Sequence, residues 1–348
     1  MYGTVKNLLE NICKISPSKA ESVVQGPEIE SFADILKAQP VGFMERWGRK
    51  AVYETGKFLP EKGYKGVLGK IKNFSGRKNS PLILPSEGKV NKFIVKKFEE
   101  YGFKESLWQG NKYSVVFTYD VDTKEGYNYL TELININNKF NIKGTFNFLT
   151  GFSYDLKQEL VENLKKTGNE IGLHGVDHNI SIGYRNNDYI SKNIDSAVQD
   201  FQERGIEYNG YRAPALSVSE NLLKNLNRKD FLYDSSLQVC APFYHSVECN
   251  FPYLYPELNL WEFPIAIQDD TLFNDYLMDE EKAYHTLKTI IEDIKNIRGM
   301  AVLIFHPGIV KNHVEFYKKF VEYISKDDEA LITTPESIIN SLVASRKA

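Results

Sequence analysis

The stretch YSVVFTYDVD, residues 113–122, decides the fold. Its first seven residues are mostly β-branched or aromatic and carry no charge, which is how a strand buried on both faces reads. Two carboxylates follow, two positions apart. Alternate side chains of an extended chain point the same way, so Asp120 and Asp122 can face one cavity while Val121 packs behind them. Like charges this close repel unless a cation or a proton lies between them.

Working outward, the pattern alternates. Residues 127–140 place apolar side chains at helical spacing, and 143–149 (KGTFNFL) read as a second strand. A helix over 156–166 stops at Gly168, a short strand covers 170–173, and a helix over 189–204 stops at Gly205. Further apolar runs begin at Tyr208, Phe231, Leu260 and Met300, with a helix over 279–297. This βαβα rhythm predicts a parallel α/β sheet or barrel over residues 111–348. In such a barrel the chemistry collects at the C-terminal ends of the strands.

Reactive residues sit at those ends. After the third strand comes His174-Gly175-Val176-Asp177-His178, holding two of the six histidines. Imidazoles four apart can grip one metal if the chain turns helically between them, and Gly175 eases that turn. Two His and one carboxylate form a facial set with open positions, suited to Zn²⁺ or Fe²⁺. After the fourth strand comes Tyr211-Arg212-Ala213-Pro214-Ala215, where Arg212 can hold a carboxylate bidentately and keep it ionised. After the run MAVLIF, residues 300–305, comes His306. His245, His285 and His313 have no such setting and read as surface or core residues.

Asp-x-Asp, HxxxH, RxP and a late strand ending in His, in that order, resemble the polysaccharide deacetylase family, the NodB-homology fold of carbohydrate esterase family four. The resemblance covers residues 112 to 330. It is nearest to the subgroup with Asp-Val-Asp, His-Gly-x-x-His and a YDSSL segment, here residues 233–237, followed by Glu262-Phe263-Pro264 and Gln268-Asp269-Asp270. The resemblance implies a distorted (β/α) barrel of about seven or eight strands. It implies a divalent metal on Asp122, His174 and His178, with Zn²⁺ first and Co²⁺, Mn²⁺, Fe²⁺ or Ni²⁺ as alternatives. Asp120 would be the general base, held by Arg212, and His306 the general acid. The backbone N–H of Ala215 would face the tetrahedral oxygen, and Asp234, Trp261 and Asp270 would border the substrate. Gly175 stands where the wider family has Ser or Thr, and Ala215 where it has Tyr. The family's Asp-Trp pair is absent, leaving Asp234, Asp269 and Asp270 as candidates to orient His306 or Arg212. Tyr184, Tyr244 and Tyr253, like Trp261, can stack on sugar rings or pack the core.

The activity expected is removal of an N-acetyl group from an amino sugar in a glycan or glycan precursor. Two other readings compete: metal-independent hydrolysis of a cyclic amide or ureide, as in allantoinases, and a non-catalytic glycan-binding barrel. The intact set of Asp120, Asp122, His174, His178, Arg212 and His306 speaks against the last.

The rest of the chain narrows the setting. Among 348 residues the net charge is −3, which excludes a protein that coats nucleic acid. No stretch has the roughly 18 uncharged apolar residues of a membrane span. Residues 1–110 balance at +7 and the remainder at −10, so the sign changes at the proposed boundary near 110. The first part reads as mainly helical, over 5–15, 29–38, 43–53 and 93–100. Its basic residues 49–78 fit either a solvated face or peripheral docking on an anionic membrane. Three cysteines without a CxxC, and charges scattered through residues 1–16, lead us to expect reduced thiols and a cytoplasmic site of action. Oligomeric state has no signal in the sequence.

Overall fold

The computed structural model describes residues 2–25, 28–37, 83–103, 106–151, 153–240 and 246–347. The expected helix at 43–53, the basic stretch 49–78, Tyr244 and His245 lie outside the described residues.

Strand β1, Tyr113–Val121, is buried at all nine positions and lies at the centre of the sheet. Its parallel neighbours are β9 (Met300–Phe305) on one side, and β2 (Gly144–Phe148) and β10 (Ala330–Ile332) on the other. The sheet continues from β2 through β3 (Glu170–Leu173), β4 (Gly210–Tyr211) and β5 (Tyr233–Asp234) to β7 (Leu260–Glu262), all parallel. On the far side of β9 lies β8 (Ile265–Gln268), also parallel. A bridge between Gln238 and Ile265 joins the segment after β5 to β8 and curls the ends of the sheet toward each other. The result is the expected curled barrel.

The sheet is mixed, because β6 (Tyr253–Tyr255) runs antiparallel to β7. Strands β6, β8 and β10 escape the sequence pattern. Each is three or four residues long, too short to show a period.

Helices return the chain between strands, and several start with a side-chain cap. The helix Lys124–Lys139 begins when Thr123 Oγ1 accepts from the Gly126 N–H at 3.1 Å. That cap turns the chain away at once after Asp122, leaving both acidic residues at the strand end. Asn186 caps Asn187–Glu203 and Asp279 caps Glu280–Asn296 in the same way.

The N-terminal part is helical where described: α1 (Tyr2–Asn11), α2 (Pro17–Val24), α3 (Glu28–Ile35) and α4 (Lys89–Glu100). Its apolar side chains, among them Leu8, Leu9, Ile12, Val90 and Ile94, join one continuous core with the barrel. Polar contacts fasten it too, two sets of them deep in the core. The Leu36 carbonyl accepts from the hydroxyls of Tyr253 (3.2 Å) and Tyr255 (2.9 Å). Asn91 and Asn250 are joined by two hydrogen bonds of 2.8 Å. Cys13, Cys240 and Cys249 are all free thiols.

Candidate active site

Five strand ends supply the site. Asp122 follows β1, His174 follows β3, Arg212 follows β4, Asp269 follows β8 and His306 follows β9, while Asp120 lies in the last turn of the β1 pleat.

Asp122 Oδ1 is 3.1 Å from His174 Nε2, and its Oδ2 is 3.4 Å from His178 Nε2. One donor atom from each of the three residues lies within 4.8 Å of the others. His174 is buried, and its Nδ1 bonds the Arg212 carbonyl at 2.7 Å, which fixes the tautomer and turns Nε2 toward Asp122. His178 is reached without a helix. The chain makes a tight turn in which Gly175 takes φ 89°, a left-handed conformation that favours glycine. Burial opposes ionisation of Asp122, but His178, His174 and His306 outweigh it and hold the carboxyl below its usual range. Burial pushes His178 toward its neutral, ligating form.

These residues fit a divalent cation. Asp122 Oδ1 and His174 Nε2 are both buried and neither makes a hydrogen bond, an expensive arrangement for a site that holds nothing. Two imidazole nitrogens and one carboxylate are also the donor set of an open, catalytic type of site. Among the described residues this is the one group of its kind.

Asp120 is buried beside it. Its Oδ1 accepts from Asn147 Nδ2 at 2.7 Å, and its Oδ2 lies 3.6 Å from Arg212 Nη1. The expected bidentate clamp is therefore a single loose contact. The reason is that Arg212 spends Nη2 elsewhere, on Thr118 Oγ1 (3.2 Å) and Ser235 Oγ (2.9 Å). Opposite, His306 Nε2 points at Asp122 Oδ2 from 3.7 Å, and Nδ1 meets Asp269 Oδ1 at 2.5 Å. Burial alone would lower the imidazole, but Asp269 outweighs it and raises His306 to about 10. Burial also pushes the Asp269 carboxyl upward. Three N–H groups converge on that carboxyl, from the His306 ring, the His306 backbone and the Asp270 backbone. We therefore assign an ionised Asp269 and a protonated His306.

Of the three acids that the sequence left open, Asp269 is the partner of His306. Asp234 and Glu262 face each other in register on β5 and β7, both fully buried. Asp234 Oδ1 accepts from Ser236, and Glu262 Oε1 accepts from the Leu237 N–H. Burial, then the charge of Asp234, raises Glu262 well above the carboxylate range, so this pair holds a proton. Asp270 lies at the rim, where Asn274 donates to it. Ala215 is exposed in a left-handed turn, φ 48°, just past Pro214. Trp261 is buried on β7 within the apolar core, and Tyr253 is buried likewise. Tyr184 is half-buried. His285 pairs with Glu281 on the surface, and His313 stacks on Phe273.

Sequence reasoning missed Asn147, and it quoted Glu262 within a motif without giving it a role. A signal was present for Asn147: an amide within KGTFNFL, a strand otherwise buried and apolar.

The region 109–233 matches the polysaccharide deacetylase family. The match spans Asp120, Asp122, His174, His178 and Arg212 and ends before Asp269 and His306, so the matched region holds five of these groups. The family is one of hydrolases acting on amide bonds. Solved structures share the deacetylase fold. A crystal structure from Mycobacterium smegmatis, classed as a polysaccharide deacetylase, is 21% identical at TM-score 0.59, over 68% of this chain and 92% of that one. A second, from Pseudomonas aeruginosa PAO1 and of the same class, is 15% identical at TM-score 0.59, over 71% and 97%. PuuE allantoinase is 14% identical at the same score, with the same coverage. No curated protein sequence matches the chain.

Proposed function

We propose that the chain is a metal-dependent deacetylase that removes an N-acetyl group from an amino sugar in a glycan or glycan precursor. The observation that carries this reading is the pairing of one open N,N,O donor set with an imidazole whose Nδ1 is bonded to the buried Asp269 and whose Nε2 faces that set.

An amide carbonyl is a poor electrophile and an amine a poor leaving group, so both ends need help. A divalent cation on Asp122 Oδ1 and the Nε2 atoms of His174 and His178 would supply Lewis acidity, polarising the carbonyl and acidifying water. Asp120 takes the attacking water's proton on Oδ2, the oxygen with only a distant partner. His306 gives its Nε2 proton to the departing amine, and Asp269 steadies the imidazolium until then. The carbonyl of Arg212 keeps His174 in its ligating tautomer. Arg212 thus serves the pocket from two sides, by its backbone toward His174 and by its guanidinium toward Asp120.

The test is elemental analysis of the full chain beside Asp122→Asn, with acetate release measured from an N-acetylglucosamine oligomer. One tightly held divalent ion in the parent, its loss in the variant and inactivation by EDTA are expected. Equal metal in both proteins would overturn the ligand assignment. Hydrolysis that survives chelation would favour the metal-independent reading.

A further inference from the structure

We propose that Asn147 is a positioning residue for the base: its carboxamide pins one oxygen of Asp120 and leaves the other to take the proton of water. The inference rests on the reading of Asp120 as the base.

Three residues lie side by side across three parallel strands. Asp120 on β1 is in register with Asn147 on β2, which is in register with Gly172 on β3. Asp120 and Asn147 are each 3% exposed, so bulk solvent has little access to the carboxylate. An aspartate's last torsion is broad and nearly two-fold, so an unanchored carboxylate can exchange its two oxygens. Something must choose between them. Arg212 holds Asp120 too loosely, at 3.6 Å, and its other amino group is taken by Thr118 and Ser235. The 2.7 Å bond from Asn147 Nδ2 to Oδ1 is the tight hold, of the short, charge-assisted kind.

The neighbouring strand is shaped for that carboxamide. A Cβ on Gly172 would stand 2.0 Å from Asn147 Oδ1, far inside non-bonded contact, so only glycine at this position of β3 leaves room for this rotamer. Asn147 also lies between Phe146 and Phe148, both fully buried, in a strand where an apolar side chain would be the inexpensive choice. Burying an amide there costs free energy unless its hydrogen bonds are made. The bond to Asp120 offsets that cost, and it does so at the atom that does not take part in proton transfer.

The experiment compares the metal-loaded parent with Asn147→Leu, Asp120→Asn and the double variant, reading acetate release from an N-acetylglucosamine oligomer. Leucine keeps the shape and removes the N–H. For Asn147→Leu we expect kcat to fall about 10²-fold, the usual cost of a misplaced reacting group, with KM and bound metal close to the parent's and a lowered melting temperature, because Asp120 Oδ1 loses its buried partner. In the Asp120→Asn background the leucine should cost nothing more. An unchanged kcat in Asn147→Leu, or a further full loss on the Asp120→Asn background, would overturn the inference while leaving Asp120 as base. Full activity in Asp120→Asn would instead remove the base assignment, and the inference with it. Should the leucine variant fail to fold, nuclear magnetic resonance of the metal-free chain labelled with ¹⁵N-asparagine decides. One side-chain amide proton should resonate downfield in the parent and move upfield in Asp120→Asn; no movement would overturn the inference.

Discussion

His306 follows β9 and Asp120 is the penultimate residue of the neighbouring β1, and each is held by a partner that sequence spacing does not reveal. Asp269 is 37 positions from His306 yet accepts both its ring N–H and its backbone N–H. An imidazole raised to about 10 is protonated at neutral pH, as an acid must be, and loses that proton only as the pH rises through this value. Asp269→Asn removes the largest influence raising it. The alkaline limb of the kcat/KM profile should therefore move to lower pH, with the acid limb unmoved; an unmoved alkaline limb would show that Asp269 does not set the acid. At this scale much of the site was legible. The Asp-x-Asp and HxxxH spacings marked Asp122, His174 and His178, because short spacing fixes direction on a strand or a tight turn. The choice among Asp234, Asp269 and Asp270 was not legible, since it depends on which strand β8 meets.

At the scale of elements, β5 and β7 bring Asp234 and Glu262 face to face. Burial of both carboxyls, with Asp234's charge beside Glu262, keeps Glu262 protonated. An amide can imitate a protonated carboxyl. Glu262→Gln should therefore change stability by less than about 1 kcal/mol at pH 7, while Glu262→Leu strands the Leu237 N–H and Asp234 and should cost about 1–3 kcal/mol. Thermal or denaturant melts of the two variants check this; equal losses would mean that Glu262 is buried as an anion. Long strands with a clear apolar run, such as β1 and β9, were read correctly within a few residues. The short strands β6, β8 and β10 were not, because three or four residues held by their neighbours need no propensity of their own.

At the scale of the whole molecule, the foot of the barrel is tied together through Asp327. Its carboxylate accepts from Lys295 at 2.8 Å and from the Tyr113 hydroxyl at 2.9 Å, joining the helix Glu280–Asn296 to β1. Burial would raise this carboxyl, but Lys295, the Glu329 backbone and Tyr113 outweigh it, so it lies below its usual value in the folded chain. A lowered carboxyl stabilises above its unfolded pKa, and the benefit fades as the pH falls through the folded one. Asp327→Asn should cost about 1–2 kcal/mol at pH 7, and the gap from the parent should close on acidification below about pH 4. A gap constant with pH would show that the carboxylate's charge does not contribute. The N-terminal helices belong to the same body, because β6 presents two tyrosine hydroxyls to the Leu36 carbonyl and the apolar faces merge into one core. The sequence by itself determined the α/β class, the central strand, and the order of Asp-x-Asp, HxxxH, RxP and His along strand ends, because these depend on periodicity and short spacing. Only the tertiary structure decided that Asp269 serves His306, that Asn147 rather than Arg212 holds Asp120 closely, and that Trp261 faces the core. Those outcomes are set by strand register and by the room a glycine leaves on the next strand, and both arise only when distant segments pair.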